Sequence, residues 1–140
     1  MSASSASVAA LQGALAAEHA AVYGYGVAGA MLAGNEQADA RADWTAHQVA
    51  RDTLEAMLAK LGATPVAASP AYALPFPVTS ASTAAKLAAT LEEGVTRGYL
   101  GLVAVSNPTL RAFAAKAMQA SANRALAWSG STVAFPGMTG

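Results

Sequence analysis

A proline-rich segment at residues 62–79 separates two stretches of the chain that both carry helical patterns. Its density of proline excludes a helix and favours an extended or polyproline conformation. The prolines are Pro65, Pro70, Pro75 and Pro77. A helix of about 26 residues is roughly 39 Å long, and about 17 extended residues reach roughly 55 Å. The segment is therefore long enough to cross from one end of a helix pair to the other. Its large apolar side chains favour such an ordered crossover over a disordered linker.

Apolar residues recur at helical spacing on both sides of this crossover. Before it, the pattern predicts helices over 7–33 and 36–61, with Gly34 suited to the turn between them. After it, the pattern predicts helices over 80–106 and 108–129, and Asn107-Pro108 is typical of a helix start. Because the turns within each half are short, each half should form an antiparallel pair.

The expected fold is thus all-α, a four-helix bundle made of two antiparallel helix pairs joined by the long crossover between helices 2 and 3. We expect a single domain over 1–140, with the C-terminal tail 130–140 folded back on the helices. The composition agrees, since hydrophobic residues make up 54% of the chain but aromatic residues only 6%. Most of the apolar content is alanine, which has the highest helix propensity.

The composition also excludes several classes of function. The formal net charge is +0, which favours neither nucleic acid nor an anionic membrane as a partner. The absence of cysteine excludes disulfides, thiolate metal sites and thiol catalysis. The N-terminus lacks the basic region of a signal peptide, and no stretch of about 20 residues is apolar enough to span a bilayer. We therefore expect a cytoplasmic protein.

Polar residues interrupt the apolar stripes near the midpoint of each predicted helix. They are Glu18 on helix 1, His47 and Arg51 on helix 2, Glu92 on helix 3 and Arg124 on helix 4. Helices of similar length that pack side by side bring their midpoints to one level, so these residues can meet in one layer. A carboxylate is rarely buried unless it is paired or ligates a metal.

This arrangement resembles the di-iron centre of ferritin-like proteins, which place a Glu on helices 1 and 3 and Glu-x-x-His on helices 2 and 4. Glu18 and Glu92 match the single glutamates, and His47 matches the first histidine. Trp44 stands where the glutamate before His47 belongs, and we expect it to fill core volume there. Helix 4 lacks both residues of its pair. The resemblance therefore implies the fold, but not the oxidase or iron-storage activity of the family.

Longer stretches are similar to a small, alanine-rich actinobacterial subgroup of ferritin-like proteins that largely lack an assigned function. The stretches that carry this similarity are 11–26, 73–78 and 134–137. The resemblance covers nearly the full length of the chain, and it implies a fold without implying a reaction.

Two interpretations of the midpoint residues follow. In the first, the protein is not an enzyme and has no cofactor, and its degenerate metal site is a polar core cluster in which two arginines replace the metal ions. That cluster comprises Glu18, His47, Arg51, Glu92 and Arg124. In the alternative, Glu18, His47 and Glu92 form an incomplete metal-binding or oxidoreductase site for a single iron, manganese or zinc ion. Two further alternatives stay open: helix 1 turned by about 100° would expose Glu18, and both arginines can extend outward to solvent.

The low charge and the small residues suggest partners of two kinds. Charged residues make up 11% of the chain, which leaves large uncharged helix faces. The run Gly24–Gly29 lies within a helical pattern and gives a smooth face for close helix contact. We expect a homodimer through such alanine- and glycine-rich faces, and a small ligand or another protein as a second partner.

Overall fold

The computed structural model describes residues 2–130, and within that range the chain is all-helical and contains no strand. In chain order the helices are α1 (Ala3–Ala30), α2 (Gly34–Lys60), α3 (Ala81–Gly98), α4 (Leu100–Val103) and α5 (Pro108–Ser129). The predicted position of the tail falls almost wholly on 131–140, which lies outside the described residues. No helix within 2–130 has the length and apolar character that crossing a membrane requires.

Local capping residues set the starts of three of the helices, α1, α3 and α5. Ser2 accepts a hydrogen bond from the backbone of Ser5, so α1 begins before the expected residue 7. The hydroxyl of Ser80 caps α3 in a reciprocal capping box with Thr83. The side chain of Asn107 accepts two backbone hydrogen bonds at the start of α5. Each of these caps satisfies backbone N–H groups that have no partner within the helix.

The third helix differs from its sequence prediction, because it does not run without a break to residue 106. It ends at Gly98, and the four-residue helix α4 follows after a turn at Tyr99. Gly98 and Gly101 both lie at this break, and glycine weakens a helix by about 1 kcal/mol relative to alanine. Gly98 also faces α1 closely, since a Cβ added there would lie 2.4 Å from the Cβ of Ala17.

Helix α1 packs against both α2 and α3, and α3 packs against α5. The buried apolar residues form two clusters along these helices. One includes Leu15, Leu54 and Val95, and the other includes Ala28, Ala40 and Leu87. On α2 and α3 a buried polar residue, His47 and Glu92 respectively, stands between the two apolar clusters. Glu18 on α1 contacts His47, so the core contains a polar layer.

The crossover is held against α1 and α3 by specific contacts. The side chain of Gln12 donates to the carbonyl of Thr64 at 2.8 Å and accepts from the N–H of Val66 at 2.8 Å. The Nε2 atom of His19 lies 2.9 Å from the carbonyl oxygen of Val66. Further along, the Lys86 ammonium sits 4.7 Å from the centre of the Phe76 ring. These contacts order an extended segment that has no backbone ladder of its own.

Candidate functional site

His47 lies at the centre of the polar layer and contacts a carboxylate on each side of its ring. Its Nδ1 atom is 2.7 Å from Oε2 of Glu18, and its Nε2 atom is 2.8 Å from Oε2 of Glu92. The exposed fractions of His47, Glu18 and Glu92 are 1%, 2% and 0%. Because carboxylate oxygens face both ring nitrogens, the geometry suits an imidazolium that donates both of its N–H groups.

The surroundings of His47 favour its charged form. Burial lowers the pKa of His47, but the hydrogen bonds and the negative charges of Glu18 and Glu92 together raise it to about 9. The Tyr25 ring stacks on the imidazole with centroids 5.5 Å apart. At neutral pH the imidazole of His47 is therefore a buried cation, with one carboxyl group on each side of its ring.

Tyr25 links this centre to a third carboxylate on α2. Its hydroxyl donates to Oε2 of Glu92 and lies 3.4 Å from Oδ2 of Asp43. The indole N–H of Trp128 donates to the same Asp43 oxygen at 2.8 Å. Burial, followed by the charge of Glu92, raises the pKa of Tyr25 far above its ordinary value, so the hydroxyl keeps its proton and acts as a donor. Burial also raises the pKa of Asp43.

Sequence reasoning did not assign Tyr25, Asp43 or Trp128 to the cluster. Helical spacing carried a signal for all three. Asp43 lies one turn before His47 on α2, Trp128 lies one turn after Arg124 on α5, and Tyr25 lies two turns after Glu18 on α1. Residues spaced in this way share a helix face.

The guanidinium of Arg124 approaches the cluster from α5. Its Nε atom is 3.8 Å from Oδ1 of Asp43, and its Nη1 atom is 3.8 Å from Oε1 of Glu92. Both contacts are ion pairs, and their distances are too long for hydrogen bonds. Oε1 of Glu92 is buried and has no hydrogen-bond partner among the described residues, and the same is true of the Tyr99 hydroxyl. Burial and the nearby charge of Glu18 raise the pKa of Tyr99.

Two residues are placed differently from the sequence interpretation. Arg51 lies apart from the cluster, where its Nε atom contacts Asp52 at 3.0 Å and Glu55 at 3.7 Å. Its long side chain reaches acidic neighbours on its own helix and so avoids burial of a second cation. Trp44 is 36% exposed and does not fill the core beside His47.

The residues of the alternative metal site do not fit a metal ion as they are arranged. Both ring nitrogens of His47 donate to carboxylates, so neither nitrogen is free to coordinate a metal ion. Glu18 and Glu92 contact opposite edges of the ring and do not converge on one point. Within residues 2–130, no group of three or more histidine, aspartate or glutamate side chains is arranged to hold a metal ion.

Comparison with known proteins identifies the family to which the chain belongs. Residues 10–140 match the family described as "Domain of unknown function (DUF4439)". The chain belongs to this family. Among solved structures, the DUF4439 chain is similar to the crystal structure of a conserved hypothetical protein, rv2844, from Mycobacterium tuberculosis. The two are 35% identical with a TM-score of 0.86, and the match covers 90% of this chain and 96% of that chain. A search of curated proteins finds no match.

Proposed function

We propose that this DUF4439 chain is a single ferritin-like domain, a four-helix bundle in which an ionic cluster stands where the di-iron centre of that superfamily lies. In this proposal the domain is a binding module and not an enzyme. The observation that supports it is the pair of contacts from His47 to Glu18 and Glu92, at 2.7 and 2.8 Å. These are the three residues that match ligand positions of the superfamily, and they bind one another.

The charges of the cluster support the replacement of metal by side-chain cations. The carboxylates of Glu18, Asp43 and Glu92 are balanced in part by the imidazolium of His47 and the guanidinium of Arg124. Three negative and two positive groups leave a formal charge of −1. Removal of one member of a buried ion pair typically costs about 3–5 kcal/mol, because its partner stays buried and unpaired. We therefore assign the cluster the role of fixing how the helices pack.

Burial of the cluster argues against catalysis there. His47, Glu18 and Glu92 are at most 2% exposed, so a substrate cannot touch them in this conformation.

The surface of the domain offers a site for a partner, which we propose is a second copy of the same chain. A Cβ added at Gly26 or Gly29 would meet no atom within 4 Å. The alanine- and glycine-rich face around them is the surface that we propose for a homodimer. Sedimentation that gives the monomer mass at every concentration tested would exclude this dimer.

Metal analysis tests the central proposal. Protein purified without chelator should contain no stoichiometric iron, manganese or zinc, and added Fe²⁺, Mn²⁺ or Zn²⁺ should leave its thermal unfolding temperature unchanged. Glu92→Ala should lower that temperature without changing the metal content. Glu93→Ala removes a neighbouring and partly exposed glutamate, so it should have little effect. One or two equivalents of metal that Glu92→Ala abolishes would overturn the proposal in favour of an incomplete metal site.

A further inference from the structure

Two adjoining cavities lie where the starts of α1 and α5 meet the end of α2. The first has a volume of about 370 Å³ and the second a volume of about 450 Å³. They adjoin because they share three lining residues, which are Leu61, Asn107 and Leu110. Each volume is within the range of small-ligand sites, about 300–1,000 Å³. No residue of the ionic cluster lines either cavity, so this site is separate from the cluster.

Ser7 is the residue that points to a ligand in the first cavity. It lies on α1, lines that cavity and is only 6% exposed. Its hydroxyl has no hydrogen-bond partner among the described residues. A hydroxyl that is largely buried without a protein partner favours an acceptor that reaches it through the cavity. Ser4 and Ser106 line the same cavity and add two exposed hydroxyl groups.

The electric field in the first cavity favours an anion. Helices α1 and α5 both begin at this cavity, and the start of a helix is its positive end. The end of α2 contributes the opposite field, which Lys60 in its last turn offsets. Among the described residues that line the two cavities, none is acidic. Asn107 already accepts the N–H groups of Thr109 and Leu110, so α5 contributes its field rather than these hydrogen bonds.

The second cavity provides the apolar part of the site. Met57, Leu61 and Leu110 line it, and the side chain of Leu61 is 44% exposed. Burial of an alkyl chain against these side chains is favourable because it removes apolar surface from water. We propose that the two cavities together bind a medium-chain alkyl carboxylate. Its carboxylate accepts a hydrogen bond from Ser7, and its chain lies against Leu61 and Leu110. This inference rests on the proposed role as a binding module and gives that role a class of ligand.

The methyl signals of the methionines provide a direct test in the intact chain by ¹H–¹³C NMR. Octanoate, kept below its micelle concentration, is the probe. As controls, 1-octanol has the same chain without the charge, and acetate has the charge without the chain. Octanoate should shift the Met57 signal in a saturable manner and bind more tightly than either control. Met31 is an internal reference, because it is 45% exposed and lines neither cavity. No saturable shift, an equal affinity for either control, or an equal shift at Met31 would each overturn the proposal.

A matched pair of variants locates the donor. Ser7→Ala should weaken octanoate binding about tenfold, since it removes a hydrogen bond to a charged group, and should leave octanol binding unchanged. Ser121→Ala is the control, because Ser121 is also a buried helical serine, only 1% exposed, but lines neither cavity. Dispersed amide spectra verify that both variants fold, and equal octanoate affinities in the two would overturn the assignment. A failed titration leaves the metal-free cluster standing, whereas stoichiometric metal would overturn the cluster and not the titration.

Discussion

The Nδ1 atom of His47 lies 2.7 Å from Oε2 of Glu18, although the two residues are 29 positions apart in the chain. This contact joins α1 to α2 inside the core, at the level where the apolar packing divides into two clusters. A hydrogen bond between an imidazolium and a carboxylate depends on the proton that the ring holds. The strength of this link is therefore set by pH.

The folded protein should lose stability as the pH rises from neutral into the alkaline range. The pKa of His47 is about 9 in the folded state against 6.5 for an ordinary histidine, so the folded state holds the proton more tightly. The resulting stabilisation is fully present below pH 6.5 and is lost as the pH rises through about 9. The loss amounts to about 3 kcal/mol, since one pKa unit corresponds to about 1.4 kcal/mol.

Urea unfolding at several pH values across this range measures how the free energy of unfolding falls with pH. His47→Gln should remove most of this pH dependence. His19→Gln, which removes the other histidine of the chain, should retain it. A wild-type free energy of unfolding that stays constant between pH 6.5 and 9 would contradict the proposed imidazolium.

Two buried tyrosines should lose different amounts of stability when their hydroxyl groups are removed. Tyr25→Phe removes a donor to the Glu92 carboxylate and should cost about 1.5–3 kcal/mol, as hydrogen bonds to charged groups do. Tyr99→Phe removes a buried hydroxyl that faces the charge of Glu18 without a hydrogen bond of normal geometry, so it should cost less than Tyr25→Phe. Chemical denaturation of both variants at neutral pH makes the comparison, and equal losses would refute it.

The fold follows from signals that are local in the sequence. Ser80 and Asn107-Pro108 cap helices through contacts within a few residues, so their effect can be inferred without tertiary structure. The break at Tyr99 could not be inferred in this way, because the apolar periodicity continues through it. The break coincides with the close approach of Gly98 to α1, which is a property of packing.

The residues of the candidate site could also be predicted only in part from the sequence. Glu18, His47 and Glu92 interrupt apolar stripes, and the structure brings them together because a stripe defines which side chains point inward. The stripe does not determine the direction of a long side chain, and Arg51 extends to acidic neighbours on its own helix. Asp43 is half-buried at the margin of its stripe, where sequence pattern alone does not separate a solvated carboxylate from a paired one.

Two glycines of α3 should also differ when each is replaced by alanine. Gly98→Ala would place a Cβ 2.4 Å from the Cβ of Ala17, and neither methyl group can rotate away. The helices α1 and α3 must then separate locally, at a cost of about 1–3 kcal/mol. At Gly94 the nearest atom is 3.8 Å away, so Gly94→Ala should stabilise the helix by about 0.5–1 kcal/mol. Thermal unfolding measures both, and a stabilised Gly98→Ala variant would show that the two helices are not in close contact.

Gln12 should control the local opening of the crossover. The N–H group of Val66 donates to Oε1 of Gln12, and this segment has no backbone ladder that could protect the amide instead. Gln12→Ala should therefore speed hydrogen exchange at the Val66 amide about tenfold, while global stability changes little. Gln37→Ala is the matched control, since Gln37 on α2 donates a hydrogen bond to the carbonyl of Gly29 on α1 and does not contact the crossover. Exchange at Val66 that is the same in both variants would mean that the crossover is held mainly by its apolar contacts and not by Gln12.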